Sequence, residues 1–155
     1  MRKGKAPKRF IQPDIVYNDT TVSKFINCLM KQGGKSLATN ILYKAFDIIE
    51  EKTKKKGYQV FQEALDKVTP IVELKARRTR GATYQVPIEA RPERKSYLRN
   101  KWLISSAKKR SEKTMSLRLA NEIIAASQGE GNAVKKKTEM YKMAQANKSF
   151  SHFKF

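Results

Sequence analysis

Few side chains in this chain have the types and spacing that catalysis needs. The 155 residues include one histidine, His152, and one cysteine, Cys28. A single histidine so near the end of the sequence is a poor general base and cannot form a metal site alone. Cys28 has no second cysteine for a disulfide or a zinc site, so we expect it to be a packing residue. We predict a protein that is not an enzyme, with no cofactor and no bound metal.

A glycine-rich turn is the other feature that could bind a small ligand. Gly34-Lys35-Ser36 has the ending of a phosphate-binding P-loop, but that motif needs a glycine five positions earlier, where Leu29 stands. The turn therefore does not predict a nucleotide site. Two interpretations stay open: the helix start and the Lys35 ammonium bind a phosphate, or the turn only connects two helices.

Positive charge dominates the composition. There are 34 Lys and Arg against 14 Asp and Glu, a formal charge of +20. Such self-repulsion destabilises a compact fold unless a polyanion is nearby, so nucleic acid is the favoured partner and an anionic membrane surface ranks well behind it. No stretch approaches the roughly 20 apolar residues of a membrane span, and no signal-peptide core follows the basic start. We expect a soluble, intracellular protein without a membrane partner.

The cations are concentrated in three regions. Residues 1–13 contain two prolines and no acid, and predict an extended basic arm. A second group surrounds a predicted hairpin turn, and a third lies on a predicted helix, with nine cations against two acids over residues 91–113. An approaching phosphate backbone would relieve this repulsion, whereas the alternative is an ordinary solvated turn or helix face.

The apolar spacing predicts the elements that position these charges. Six helices are expected. The first is capped by Asn18 or Asp19 and ends at Gly33-Gly34, the second runs from Lys35 to about Lys54 with Gly57 as its stop, and the third contains Phe61 to Val68. The fourth runs from Pro92 to Lys109, the fifth from about Thr114 to Gln128, and the sixth begins after Asn132. Leu37, Ile41 and Ile48 are among the apolar residues that make the second helix central to the core.

A change of period between the third and fourth helices predicts a β-hairpin over residues 71–89. Val72, Leu74 and Ala76 alternate with polar residues, and the same pattern returns after Gly81. Strands of about seven residues would place the turn roughly 24 Å from their bases, and a lone two-stranded sheet should project from the body. The fold class is thus mainly α: a six-helix domain over 14–147 with one protruding hairpin, a basic arm over 1–13 and an aromatic-basic tail over 148–155.

Two groups of aromatic residues have the composition of base-stacking surfaces. Tyr97 and Trp102 share the helical spacing of Leu98, which favours core packing over stacking. Phe150, Phe153 and Phe155 alternate with lysines in the tail, where they either stack on bases or dock on a protein surface.

Several segments resemble the bacterial-type small ribosomal subunit protein seven family. The resemblance covers essentially the whole chain, and the most specific segments are the hairpin return and the C-terminal run. It is carried by Lys24-Phe25-Ile26-Asn27 through Gly33, Lys35 and Ser36 to Ala45, by Gly81-Ala82-Thr83-Tyr84-Gln85-Val86-Pro87, by Leu117-Arg118-Leu119-Ala120-Asn121-Glu122, and by Ala133-Val134-Lys135-Lys136.

The resemblance implies a protein that binds the 3′ major domain of the small-subunit rRNA and nucleates assembly of the subunit head. It implies a hairpin near the exit-site tRNA and the mRNA path, with ribosomal proteins nine and eleven of the same subunit as neighbours. The ribosome is expected to be cytoplasmic, an organellar ribosome remains an alternative, and the protein is not expected to form a homo-oligomer. The cations of the arm, glycine turn, hairpin and fourth helix are then the expected RNA contacts: Arg2, Lys3, Lys5, Lys8, Arg9, Lys35, Lys75, Arg77, Arg78, Arg80, Arg91, Arg94, Lys101, Lys108, Lys109, Arg110 and Lys113.

The chain departs from the family pattern at three positions. Gly34 stands where a second basic residue is common, Arg80 replaces a hairpin-tip glycine, and Phe155 stands where a terminal Trp is frequent.

Two other functions compete with the one that the resemblance implies. A DNA-binding architectural or regulatory protein would have similar charge and helix content. An RNA-modifying enzyme would need a cofactor loop or an acid-base cluster, and the sequence shows neither.

Overall fold

Six helices and one two-stranded sheet follow one another along the chain. The computed structural model describes residues 4, 9–79 and 81–152, with only the backbone of Thr79 and His152. The mainly helical fold with a hairpin between the third and fourth helices is confirmed. The elements are α1 Thr20–Leu29, α2 Lys35–Thr53, α3 Gly57–Val68, β1 Val72–Thr79, β2 Ala82–Glu89, α4 Pro92–Lys108, α5 Met115–Gln128, α6 Gly131–Ala146 and a 3₁₀ helix at Lys148–His152.

Side chains fix the starts of three helices. Asp19 caps α1 by accepting a hydrogen bond from the Thr21 N–H at 2.7 Å, and Thr114 caps α5 in the same way. The start of α6 differs from the prediction, because the cap position is Glu130 and not Asn132. There the buried Glu122 carboxylate of α5 accepts the Ala133 N–H at 2.9 Å, so a side chain from another helix satisfies the first turn.

Helix α2 buries a narrower stripe than the sequence predicts. Leu37 is 65% exposed, and Ile41 and Ile48 are only partly buried. The buried stripe consists of Ala38, Leu42, Ala45, Phe46 and Ile49. Ile41 and Ile48 still pack against the core beside this stripe, and α2 contacts α1, α3 and α5. The central position predicted for α2 is therefore confirmed, and the exposed Leu37 is the departure from the prediction.

The predicted stop of α2 at Gly57 is wrong. Lys54 ends the helix in the left-handed conformation with φ 55°, and its N–H donates to the Glu50 carbonyl. Gly57 instead begins α3 and is buried against α2. A Cβ on Gly57 would lie 2.6 Å from the Phe46 carbonyl oxygen, so the glycine allows the two helices to approach closely.

The core is built around aromatic side chains shared by the first three helices. The ring of Phe61 lies 5.0 Å from that of Phe25 and 5.3 Å from that of Phe46 between centroids. Tyr17, which precedes α1, stacks on Tyr58 at 5.1 Å. Helices α4 and α5 complete this cluster, and Trp102 packs against it, which confirms the core position predicted for that residue.

The hairpin pairs antiparallel from Val72 with Glu89 to Thr79 with Ala82, so each strand has eight residues. The hairpin is packed along most of its length. At its base, the Ile71 N–H donates to the Tyr141 hydroxyl of α6 at 2.9 Å. Further along β2, Val86 is 1% exposed, and the Tyr84 ring lies 5.0 Å from the Phe150 ring of the 3₁₀ helix. The two-stranded sheet is therefore supported from its base as far as Tyr84, whereas Ala82 and Thr83 next to the turn are exposed.

Two expectations about single side chains are wrong. Cys28 is exposed and is not a packing residue. Tyr97 is 44% exposed because it shares a helix face with Arg94 and Lys101, three residues before and four after it, and not with Leu98. Over the described part of the chain, no helix has the length and apolarity to cross a membrane, and no group of three metal-ligating side chains is present.

Candidate nucleic-acid interface

The base of the hairpin and the start of α4 enclose a groove of about 850 Å³ that brings together three predicted contacts. Lys75 from β1 and Arg91 and Arg94 from the start of α4 line it. The Arg94 Nε lies 2.7 Å from the Glu73 Oε2, and the Glu73 side chain is only 8% exposed. This ion pair links β1 to the start of α4 at the edge of the groove.

Strand β1 places its cations on both faces. Lys75 and Arg77 share a face with Glu73, whereas Arg78 points to the opposite face because successive side chains alternate. Lys75 and Arg78 are exposed, and Arg77 is half-buried beside its cross-strand neighbour Tyr84. The hairpin thus presents positive charge in two directions.

Helix α4 carries a row of exposed cations. Arg91, Lys101, Lys108 and Lys109 extend from its cap to its last turn, a distance of about 25 Å at 1.5 Å per residue. Among the described residues, no carboxylate oxygen lies within 4.0 Å of the charged nitrogens of these four side chains. A solvated helix normally intersperses both signs of charge, whereas the positive charge of this face is not balanced by a neighbouring acid among the described residues.

The end of α4 meets the glycine turn that precedes α2. Lys108 and Gly34 line the same groove of about 340 Å³, together with Lys31 and Arg118. Inside the turn, the Gly34 N–H donates to the Lys31 carbonyl and the Lys35 N–H to the Gly33 carbonyl, at 3.0 and 2.8 Å. These two N–H groups are engaged within the protein and are not available to a phosphate, whereas the Lys35 side chain is exposed.

Arg110 has a different environment from its basic neighbours. Its Nε lies 2.7 Å from the Oε2 of Glu122, a residue with no exposed surface, and its Nη1 lies 3.3 Å from Glu112. The Asn121 amide donates to Glu112, and that hydrogen bond is the main reason why the pKa of the Glu112 carboxyl is lowered. The backbone hydrogen bond of Glu112 lowers the pKa further, and Arg110 makes a smaller contribution in the same direction. The observed contacts of Arg110 therefore join α4 to α5.

The structure adds cations that the sequence reasoning did not select. Lys24, Lys31 and Arg118 line surface grooves beside selected residues. Lys136 of α6 donates to the Ser105 hydroxyl at 2.5 Å; burial, followed by repulsion from Lys109, lowers the pKa of its ammonium. Lys24 and Arg118 are the single cations of α1 and α5, and Lys31 lies in the turn between α1 and α2, so no run of like charges marks them in the sequence. Lys136 does belong to a run, Lys135-Lys136-Lys137, and that run is the signal that could have selected it.

The arm and the hairpin tip lie largely outside the described residues. Arg9 is exposed and lines a groove beside α1, and Lys113 is exposed in the loop before α5. The predicted contacts Arg2, Lys3, Lys5, Lys8 and Arg80, and the tail residues Phe153 and Phe155, fall outside the described part of the chain.

Comparison with known proteins assigns the family. The sequence profile described as "Ribosomal protein S7p/S5e" matches residues 1–148. The chain belongs to this family. It is 56% identical over 154 residues to the small ribosomal subunit protein uS7 of Amoebophilus asiaticus, covering 99% of both chains, and 52% identical over 155 residues to that of Cytophaga hutchinsonii, covering 100% of both. It is also 53% identical over 154 residues to that of Gemmatimonas aurantiaca.

Membership of the S7p/S5e family confirms the resemblance and two expectations that depended on it. The chain is a ribosomal protein, and it is structural and not an enzyme.

Proposed function

We propose that this chain is a structural component of the small ribosomal subunit that binds the 3′ major domain of the small-subunit rRNA and nucleates assembly of the head. The hairpin would lie at the subunit interface near the exit-site tRNA and the mRNA path. Ribosomal proteins nine and eleven would be its neighbours, in a cytoplasmic ribosome and without self-association.

One observation supports the RNA contact most strongly. Arg91, Lys101, Lys108 and Lys109 form an exposed row on α4 with no carboxylate within 4.0 Å among the described residues. At the N-terminal end of the helix this row meets the groove at the hairpin base, and at the other end it meets the glycine turn. A continuous cationic path of this length suits a folded phosphate backbone.

The row can be tested through the salt dependence of binding. In the triple variant Arg91→Ala, Lys101→Ala and Lys108→Ala, we expect weaker binding to a transcript of the 3′ major domain and a smaller slope of log K against log salt. Each lost phosphate contact lowers that slope by roughly 0.7 to 0.9, so the triple variant should lose about two units.

A matched control removes the same charge elsewhere. Lys44, Lys55 and Lys56 are exposed and lie outside the predicted interface. Their triple alanine variant should lower affinity through long-range charge only and should keep most of the slope. Equal slopes for the two triple variants would contradict the assignment of the α4 row and would indicate that net charge alone governs binding.

A further inference from the structure

A groove of about 610 Å³ runs between residues 9–11, α1 and α4, beside Lys101 of the α4 row. Phe10, Ile11, Cys28 and Tyr97 form most of its apolar lining, and Asn100 lies at its floor. Arg9 and Lys24 stand at its edge, with Glu93 as the one acid among its lining residues. The groove therefore combines an apolar interior with a positively charged rim.

Among the described residues, the amide of Asn100 lacks a full set of hydrogen-bond partners. The residue is 2% exposed, and its Oδ1 has no partner in that part of the chain. There its Nδ2 has a long contact of 4.0 Å to the Cys28 Sγ as its hydrogen bond. A buried amide in this condition costs free energy, which a ligand that supplies a donor and an acceptor would recover.

Two aromatic rings line the same groove and remain open to solvent. Phe10 is 87% exposed and Tyr97 is 44% exposed. The Arg94 guanidinium lies 5.3 Å and the Lys101 ammonium 5.6 Å from the centre of the Tyr97 ring. Aromatic side chains beside cations are the usual platform for an unstacked base and its phosphates.

We propose that this groove binds one unstacked nucleobase of the rRNA, an inference that rests on the proposed function. The base packs against Phe10 and Tyr97, its edge pairs with the Asn100 amide, and Arg9, Lys24 and Lys101 meet the flanking phosphates. The Asn100 amide offers an acceptor, Oδ1, that has no partner among the described residues, and a donor, Nδ2, that has only the long contact to Cys28 there. Its adjacent donor and acceptor match the N7 and N6 of adenine.

The positive charge at the edge of the groove favours a nucleotide over an apolar protein side chain as the occupant. An apolar side chain would fill the interior but would leave Asn100 unsatisfied and would gain nothing from Arg9, Lys24 and Lys101. A nucleotide would contact the rings of Phe10 and Tyr97, the Asn100 amide and the cations at the same time.

Ultraviolet crosslinking of the full chain bound to a transcript of the 3′ major domain tests the proposal. Mass spectrometry should find one nucleotide attached to residues 9–11, Cys28 or Tyr97. Asn100→Leu and Tyr97→Leu should each abolish that crosslink. Loss of one base-aromatic contact should weaken binding about five-fold to a hundredfold, with the salt slope unchanged. An abasic site at the crosslinked nucleotide should cause the same loss.

Ile15→Ala provides the control, because Ile15 is 98% exposed, close in sequence to Phe10 and outside the groove lining. It should leave both affinity and crosslink unchanged. Full affinity in the two groove variants, or crosslinks confined to other regions, would overturn the base pocket alone. If the unaltered protein does not bind the transcript, the proposed function fails and this inference fails with it.

Discussion

At the scale of single residues, the structure divides the cations of the basic stretch into two groups. Arg94 and Arg110 have carboxylate partners at 2.7 Å and hold elements together. Lys101 and Lys108 are exposed and have no carboxylate within 4.0 Å among the described residues. The sequence could not separate these groups, since the partner of Arg110 is twelve residues further on in another helix.

Arg110→Ala should destabilise the protein strongly. The substitution leaves the fully buried Glu122 carboxylate without its cationic partner, and breaking a buried pair in this way costs about 3 kcal/mol. The free energy of unfolding in urea measures the effect. Lys108→Ala, two residues away and exposed, should change it by less than about 0.5 kcal/mol. Equal values for the two variants would contradict a structural role for Arg110.

Stability should fall in alkaline solution through Tyr43. Its hydroxyl donates to the Asp14 Oδ2 at 2.8 Å; burial, followed by this hydrogen bond, raises the pKa of Tyr43 from 10.0 to about 12. The folded state keeps a proton that the unfolded chain loses. This contribution is therefore complete below about pH 10 and is lost as the pH rises to about 12.

Urea unfolding midpoints between about pH 9 and pH 12 measure this loss. Burial also raises the pKa values of Tyr17 and Tyr58, so these residues add to the fall. Tyr43→Phe should be less stable at neutral pH, because Asp14 loses a donor, and its midpoint should fall less steeply in alkali. A slope as steep as that of the unaltered protein would show that Tyr43 does not contribute.

At the scale of elements, one close helix contact fixes the packing of α2 against α3. Gly57→Ala would place a Cβ 2.6 Å from the Phe46 carbonyl oxygen and 2.8 Å from its Cα, so the helices must move apart. We expect a loss of about 1–3 kcal/mol in the free energy of unfolding.

Gly34→Ala is the matched control for this glycine. Its nearest contact would be 3.5 Å, and the backbone φ of Gly34 is −72°, which alanine adopts without strain. The free energy of unfolding should stay the same or rise slightly, because alanine lowers the entropy of the unfolded chain. A loss equal to that of Gly57→Ala would contradict the close-contact explanation.

Helix number, helix order and the hairpin could be predicted from the sequence, because they depend on local spacing and turn residues. Details that depend on contacts between elements could not. Gly57 begins α3 in close contact with Phe46 instead of ending α2, and Glu122 rather than Asn132 supports the start of α6. For the candidate site, the run of charge predicted the α4 row, but the exposure of Tyr97 required knowledge of which face α4 turns to the core.

At the scale of the whole molecule, the charge of +20 is carried by a small helical fold. The α4 row has a basic groove at each end: the groove at the hairpin base lies at its start, and the groove beside the glycine turn lies at its end. A surface of this kind gains affinity from many phosphate contacts at once, and its specificity depends on the shape of the folded RNA.

The central claim is that this surface recognises a particular RNA fold and not charge alone. The direct test is competitive binding at about 150 mM salt, with a transcript of the small-subunit 3′ major domain against duplex DNA and an unrelated structured RNA of equal charge. We predict a preference of about a hundredfold or more for the rRNA domain, as expected for specific over non-specific binding. Equal affinities for the three competitors would contradict shape-specific recognition and would instead indicate a general nucleic-acid-binding protein.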